Sequence, residues 1–424
     1  MSRKTILHIT PFIWTMGFKK GIFGVQAYAL FEKFGYHEVF ITPDINLFSG
    51  MKNSKEMLKK AKLDGTVFKF GSVLGASTLV NTSGKFSFLN KLVYFLLYMF
   101  ICFFVCLKTL SRLRNVVCIY AHTWTCVPQG FLLGKLFRIP CVYRVYGIHN
   151  YELGLTGTAA NSLLKPDLLI FKIPCDAYVI TNDGTMGKSV AMRMGVSEDR
   201  ILYVFDGVPK DFFTDLGNVH YDYAERMRFQ LARTLGLRPG GKIVLYVGRL
   251  VYWKGIDRLI RVLHSAREKK PETDMCLIIA GDGDLRYSFE KLVEDLDLKR
   301  DVFFLGSVER GQLKGLLASC DVYLTLQDLT NLSNSLLEAM AQGRCVVAGD
   351  VGGTREVIEN MTNGVLVSLS DEGKIASVIV DLLLNNNLRR SIEEGAKEYA
   401  KTHFLVWDDR IKFELDWISK SLRF

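Results

Sequence analysis

The stretch "VGRLVYWKG" (residues 247–255) sets Arg249 and Lys254 where an apolar strand ending at Gly248 gives way to a helix opening at Gly255. A helix N-terminus carries unbonded N–H groups and a positive partial charge, so it already favours an anion. A guanidinium and an ammonium at the same strand end suit a diphosphate, each charge-assisted hydrogen bond contributing about 1.5–3 kcal/mol. Two solvated surface cations are the plainer reading of the same nine residues. Further stretches weigh against it. "LIIAGDGDL" (277–285) ends an apolar run in Gly281 and Gly283, which either let backbone approach a ligand or make a tight turn. "TNLSNSLLEAMAQG" (330–343) places Ser333 and Asn334 at a helix start and Glu338 on an otherwise apolar helix. That carboxylate either points into solvent or is held at a cleft to accept hydrogen bonds from ribose hydroxyls. A Gly352-Gly353 turn follows the next strand.

Short apolar, β-rich runs alternate with helical periodicity along nearly the whole chain, the pattern of parallel sheets covered by helices. Strands are predicted at 5–10, 38–42, 66–70, 116–122, 140–147, 177–181 and 201–205, and again at 242–248, 276–281, 302–306, 322–326, 345–349 and 364–368. Between the two series, 209–240 reads as charged, aperiodic sequence ending in "LRPGGK", an interdomain connection. The fold class is therefore α/β, two Rossmann-like doubly wound domains facing across a cleft, with ligands at the carboxyl ends of the strands.

At 424 residues, 49% apolar and 23% charged, the chain can bury two cores. Its charge is uneven: 25 Lys and Arg against 12 Asp and Glu through Lys210, or +13, and −3 beyond it. A basic half fits nucleic acid, anionic lipid or an acidic substrate. No nucleic-acid-binding signature accompanies it, which excludes that class. The nine cysteines form no C-x-x-C pair or metal spacing, and several sit in apolar strands, as reduced buried thiols of a cytoplasmic protein would. "MSRKTILHITPF" runs straight into a strand with no signal-peptide design.

Leu92–Leu107, "LVYFLLYMFICFFVCL", is uncharged and flanked by Lys91, Lys108, Arg112 and Arg114. As a helix it reaches about 24 Å, short of the roughly 30 Å hydrocarbon core. The strands before and after it belong to one sheet, which also argues against a span. A buried crossover helix, a helix that also dips into a membrane interface, and a true span remain the three readings.

The succession "VGRLVYWKG", "IIAGDGDL", "VFFLGSV", "LSNSLLEAMAQGRCVVA", "VGGTREVI" and "NGVLV" resembles the donor-nucleotide domain of glycosyltransferase family 4, strongly over 240–370 and more weakly through the front half. The resemblance implies a GT-B fold and a retaining, metal-independent glycosyltransferase without a cofactor. It implies an acceptor-side domain at 1–208, a donor domain at 209–407 and a C-terminal helix, 408–424, that crosses back onto the first domain. Arg249 and Lys254 would clasp the diphosphate of a nucleotide sugar, Glu338 would hold the ribose, and Gly306 and Val308 would face the base. Gly248, Gly281 and Gly283 would line the donor site, with Asn331, Leu332, Ser333 and Asn334 against sugar or phosphate. Thr330 stands where the family's first motif glutamate is expected, with Asp328 two residues away as a substitute.

In the front half, Gly21 and Gly24 would lie in the loop near donor phosphate and acceptor. His122, at a strand end, is either a structural histidine or an acceptor contact. Tyr146 replaces a histidine of many relatives, with Arg144 and His149 nearby as acceptor-side candidates. The implied partners are a nucleotide sugar and a glycan or lipid-linked acceptor, the latter reached at the inner face of the cytoplasmic membrane through its anionic lipid. The implied setting is surface polysaccharide or glycolipid assembly. Thr330 also leaves open a degenerate partner subunit that binds a nucleotide sugar or nothing.

Overall fold

The computed structural model describes residues 3–10, 31–44, 64–69, 99–148, 168, 170–213, 218–236 and 240–424. The first sheet is built from β1 (Lys4–Ile9), β2 (Tyr36–Asp44), β3 (Asp64–Lys69), β4 (Val116–His122), β5 (Cys141–Val145), β6 (Ala177–Thr181) and β7 (Ile201–Val204), in the order β3-β2-β1-β4-β5-β6-β7. The second contains β8 (Lys242–Val247), β9 (Met275–Ala280), β10 (Val302–Gly306), β11 (Val322–Thr325), β12 (Cys345–Gly349) and β13 (Val365–Val367), ordered β10-β9-β8-β11-β12-β13. Every ladder pairing between these strands is parallel. Central strands such as "MCLIIA" are buried on both faces, which explains why they read as unbroken apolar runs.

Each strand order reverses once, between β1 and β4 and between β8 and β11. A crevice opens at the carboxyl ends of such switch points. On one face of the first sheet lie α1 (99–110) and α2 (Val127–Phe137), which bury Cys102, Cys106, Leu110, Val127 and Leu133 in its core. The described part of the apolar run is thus a crossover helix lying along the sheet; residues 92–98 fall outside the described residues. Among the described residues no helix is long and apolar enough to cross a membrane.

The stretch 209–240 departs from the expected aperiodic connection. Asn218–Leu235 is an 18-residue helix, α3. Its apolar stripe is thin: Leu231 is buried, with Met227 and Leu235 packed partly against the second core. Three residues at four-residue spacing were outweighed by their charged neighbours. Arg228 ties this helix to Asp321 at the start of β11 at 2.7 Å.

The C-terminal helix, α4 (Trp407–Leu422), crosses back as expected and covers the first sheet's other face, packing Trp407, Ile411, Leu415 and Ile418 against Ile6, Cys118, Tyr120 and Val142. A fully buried pair, Arg410–Glu414 at 2.7 Å, lies within it. Arg410 Nε donates to the Phe205 carbonyl at 2.8 Å, and Glu414 accepts from the Tyr120 hydroxyl. Burial alone would raise the Glu414 carboxyl, but Arg410, Arg144 and Tyr120 outweigh it and hold it below its ordinary value. The chain passes between the two sheets at 205–208 and again at 404–407, and these crossings pair side by side through a parallel bridge between Val208 and Val406. All nine cysteines are buried, and none is in a disulfide. Burial pushes thiols such as Cys320 and Cys345 up to about 12, as expected of inert reduced cysteines.

Candidate active site

The second sheet's switch point holds the two cations with which the sequence reading began. After β8 the backbone makes a short turn, Tyr252–Lys254, before α5 (Ile256–Lys269), whose apolar face (Ile256, Leu259, Ile260, Leu263) anchors the turn to the core. Lys254 is half-buried and its ammonium donates to Gln327 Oε1 in the loop after β11, so the link bridges the two strands flanking the switch point. Burial, then the positive charge of Arg249, pushes Lys254 down to about 8, while Asp183 of the first domain pulls the other way. Arg249 is exposed and lies 5.7 Å above the Trp253 ring. A half-buried ammonium beside a guanidinium is electrostatically poised for an anion, which would stabilise both charges.

Glu338 sits on α8 (Asn334–Ala341), which follows α6 (Arg286–Asp295) and α7 (Arg310–Ser319). Ser333 caps that helix, its Oγ accepting from Leu336 N at 3.3 Å. The carboxylate is buried, not solvated, and accepts from Arg310 Nη2 at 3.0 Å. Burial pushes it up to about 7 against the pull of Arg310. Arg310 was absent from the sequence reading; its position four residues beyond the end of β10, at the same carboxyl edge, was the available signal. Gln327 was missed as well.

Several candidates serve the scaffold instead of facing the crevice. Asn331 is completely buried, with both ends of its amide engaged. Its Oδ1 accepts from Thr325 Oγ1 and Gln327 N at 3.1 and 2.9 Å, and its Nδ2 donates to the Gly349 carbonyl at 3.0 Å. Leu332 is in the second domain's core. Gly281, at φ 153°, abuts the neighbouring backbone: a Cβ there would fall 1.8 Å from the Gly248 carbonyl oxygen, and one at Gly283 would fall 2.4 Å from that of Leu250. The G-x-G spacing therefore reflects three strand ends packed backbone to backbone, joined by Gly248 N donating to Ala280 O and Gly281 N donating to Gly306 O. Val308 packs partly into the same core.

Asp328 pairs with Arg258 at 2.9 Å. Thr330 Oγ1 donates to the Asp183 carbonyl at 2.9 Å, beside a contact from Gly353 N to Gly184 O at 2.8 Å. The position of the expected glutamate is thus spent joining the two domains.

At the first sheet's switch point, four side chains form a continuous chain. His8 Nε2 lies 3.3 Å from Glu38 Oε1, His8 Nδ1 is 2.9 Å from His122 Nε2, and His122 Nδ1 is 2.6 Å from the Tyr146 hydroxyl. Glu38, His8 and His122 are buried and Tyr146 is half-buried. Burial pushes His8 down to about 3; burial, then His8 and Arg144, lowers His122 well below its ordinary value, so both rings are neutral. Each neutral ring carries one proton, so the two hydrogen bonds run one way along the chain, either from Tyr146 through His122 to His8 or the reverse.

His122 is consequently an interior link, and Tyr146 is the member that reaches the crevice. Arg144 is buried too, donating to the Val145 and Val179 carbonyls at 3.1 and 3.2 Å and lying 3.6 Å from Asp206, which removes it from the acceptor-side surface. Gly21, Gly24 and His149 fall outside the described residues.

A family profile described as glycosyl transferases group 1 matches residues 228–399. An uncharacterised glycosyltransferase of Methanocaldococcus jannaschii is 30% identical over 299 residues, covering 69% of this chain and 73% of the relative. A D-inositol 3-phosphate glycosyltransferase of Corynebacterium aurimucosum is 25% identical over 293 residues, 67% of each chain. Among solved structures, HepE of Anabaena in complex with UDP and glucose superposes with a TM-score of 0.68 at 18% identity, covering 97% of this chain and 99% of that one. Sucrose-phosphate synthase of Thermosynechococcus elongatus gives 0.70 at 19%, covering 99% of each. These likenesses extend over both domains and match the GT-B arrangement of two facing Rossmann-like halves.

Proposed function

The chain belongs to the group 1 glycosyltransferases, and we propose that it moves a sugar, with retention of anomeric configuration, from a nucleoside-diphosphate donor to a glycan or lipid-linked acceptor in surface polysaccharide or glycolipid assembly. Residues 209–407 hold the donor and residues 1–208 receive the acceptor. The observation that carries this reading is Lys254, half-buried beside Arg249 and tied to Gln327 across the switch point. As the glycosidic bond breaks, most of the developing negative charge appears on the leaving diphosphate, where these two cations and the Ser333-capped helix stabilise it. Glu338, held by Arg310, accepts hydrogen bonds from the ribose. The acceptor hydroxyl approaches on the face from which the diphosphate departs, with the Tyr146 hydroxyl as its contact in the first domain.

Uridine nucleotides are the first donors to test, because HepE was solved with UDP and with UDP-glucose. The experiment is a thermal-shift titration with UDP, GDP and ADP and their sugar conjugates, on wild type and Lys254→Ala. A ligand at about 100 times its dissociation constant stabilises the fold by roughly 2.7 kcal/mol. One nucleotide should shift the wild type and fail on the variant; a flat response to all of them would refute the donor site.

A further inference from the structure

We propose that the outer face of α1 and α2 docks on an anionic lipid bilayer. The proposal draws its purpose, though not its evidence, from the lipid-linked acceptor reading above. On α1 the stripe Cys102, Cys106, Leu110 is buried against the sheet, and the opposite stripe, Phe100, Phe104, Lys108, faces outward. On α2, Val127, Gly130, Leu133 and Gly134 face inward and Leu132, Lys135 and Leu136 outward. Gln129 Nε2 donates to Met99 Sδ at 2.9 Å, so the helices lie abreast and their outward stripes form one surface.

Phe100 and Leu136 are each 62% exposed, the Phe100 and Phe104 rings are 4.6 Å apart, and Leu132 and Phe137 are exposed beside them. Isolated apolar residues are ordinary on a surface; five on adjacent turns of two neighbouring helices form a patch.

The charges say what covers it. Lys108, Arg112, Lys135 and Arg138 are exposed around this face, and from Asp64 to Glu152 no aspartate or glutamate intervenes. A second copy of the chain would bring like charges together, whereas an anionic membrane supplies the opposite charge and takes the aromatic and aliphatic side chains into its headgroup boundary. α1 is pinned to the sheet by its buried cysteines, so it lies along the membrane and does not enter it. α2 starts five residues beyond His122, at the carboxyl edge of the sheet, so the docked face runs up to the crevice that Tyr146 lines.

The test is flotation of the full chain with vesicles of phosphatidylcholine alone or mixed with phosphatidylglycerol. Binding is expected only with phosphatidylglycerol, weakening as salt is added. Lys135→Gln with Arg138→Gln should lower the vesicle partition about 25-fold, at about fivefold per cation. Phe104→Ser with Leu136→Ser should abolish it. Each variant must keep the wild-type thermal shift with nucleotide, which separates lost docking from lost folding.

The proposal is overturned if wild type fails to float with anionic vesicles, if the variants float equally well, or if light scattering finds a dimer that Leu136→Ser dissociates. Transfer to water-soluble acceptors alone by a chain that still floats would sink the lipid-linked acceptor and leave the docking face standing. Transfer to a lipid-linked acceptor by a chain that ignores vesicles would do the reverse.

Discussion

The two switch points solve the same problem, presenting polar groups at the carboxyl ends of a parallel sheet, with opposite electrostatics. That of the second sheet is charged: Lys254 beside Arg249, and Glu338 against Arg310. That of the first is a neutral chain of Tyr146, His122 and His8 ending on a buried glutamate. A diphosphate is anionic in the ground state and gains charge as it departs, so fixed cations suit it. A hydroxyl is read by hydrogen-bond direction, which buried neutral imidazoles set without exposing a charge.

The contrast breaks most directly at Lys254. Lys254→Ala should cost on the order of 2–4 kcal/mol of transition-state stabilisation, roughly 30- to 1000-fold in turnover. A steady-state kcat reduced less than threefold would remove the lysine from the reaction.

The pH dependence of the two halves should differ next. Lys254 gives up its proton near pH 8 and binds the diphosphate only when charged, so donor affinity should fall above that pH. Glu338 takes up a proton near pH 7, and the neutral carboxyl accepts ribose hydroxyls more weakly than the carboxylate, so affinity should fall below it. The Lys254 limb should approach tenfold per pH unit and the Glu338 limb be shallower, with the maximum between. Calorimetry with the nucleotide sugar, whose diphosphate does not titrate in this range, checks this. The acceptor KM should stay level over the same range, because His8 titrates near 3. A donor profile flat from pH 6 to 9 would contradict the charged assignment.

Smaller effects sharpen the boundary. Tyr146→Phe removes one hydrogen bond, about 1 kcal/mol, and should raise the acceptor KM about fivefold while leaving donor affinity untouched. A change in donor affinity instead would move Tyr146 to the sugar side. Thr330→Val deletes the bond to the Asp183 carbonyl and should loosen the domain contact by 1 kcal/mol or less on the same scale, visible as a lower thermal midpoint without ligand.

The same contrast decides what could be read from residues alone. Strands buried on both faces stand out as apolar runs, so the strands of both sheets were visible, whereas α3 hid behind a stripe of Met227, Leu231 and Leu235. Arg249 and Lys254 stood out in the sequence only through the motifs that follow them, since two surface cations were the plainer reading of their own stretch. Gly281, Gly283 and Asn331 stayed ambiguous in the sequence because a glycine or amide serves a backbone crossing as well as a ligand, and only the distances show the backbone contacts they make. The His8–His122 chain joins residues more than a hundred positions apart, which no local spacing records.

The return of the last helix sets an order of events during synthesis. Ile6, Tyr120 and Val142 leave the ribosome long before the apolar side chains that cover them, Trp407 through Ile418, are made. Until then that face of the first sheet lies partly uncovered, with Tyr120 lacking Glu414 and the Phe205 carbonyl lacking Arg410. The first sheet therefore completes its core only after the second domain has been made, and a ribosome stalled before residue 407 would hold a partly open sheet for chaperones to guard.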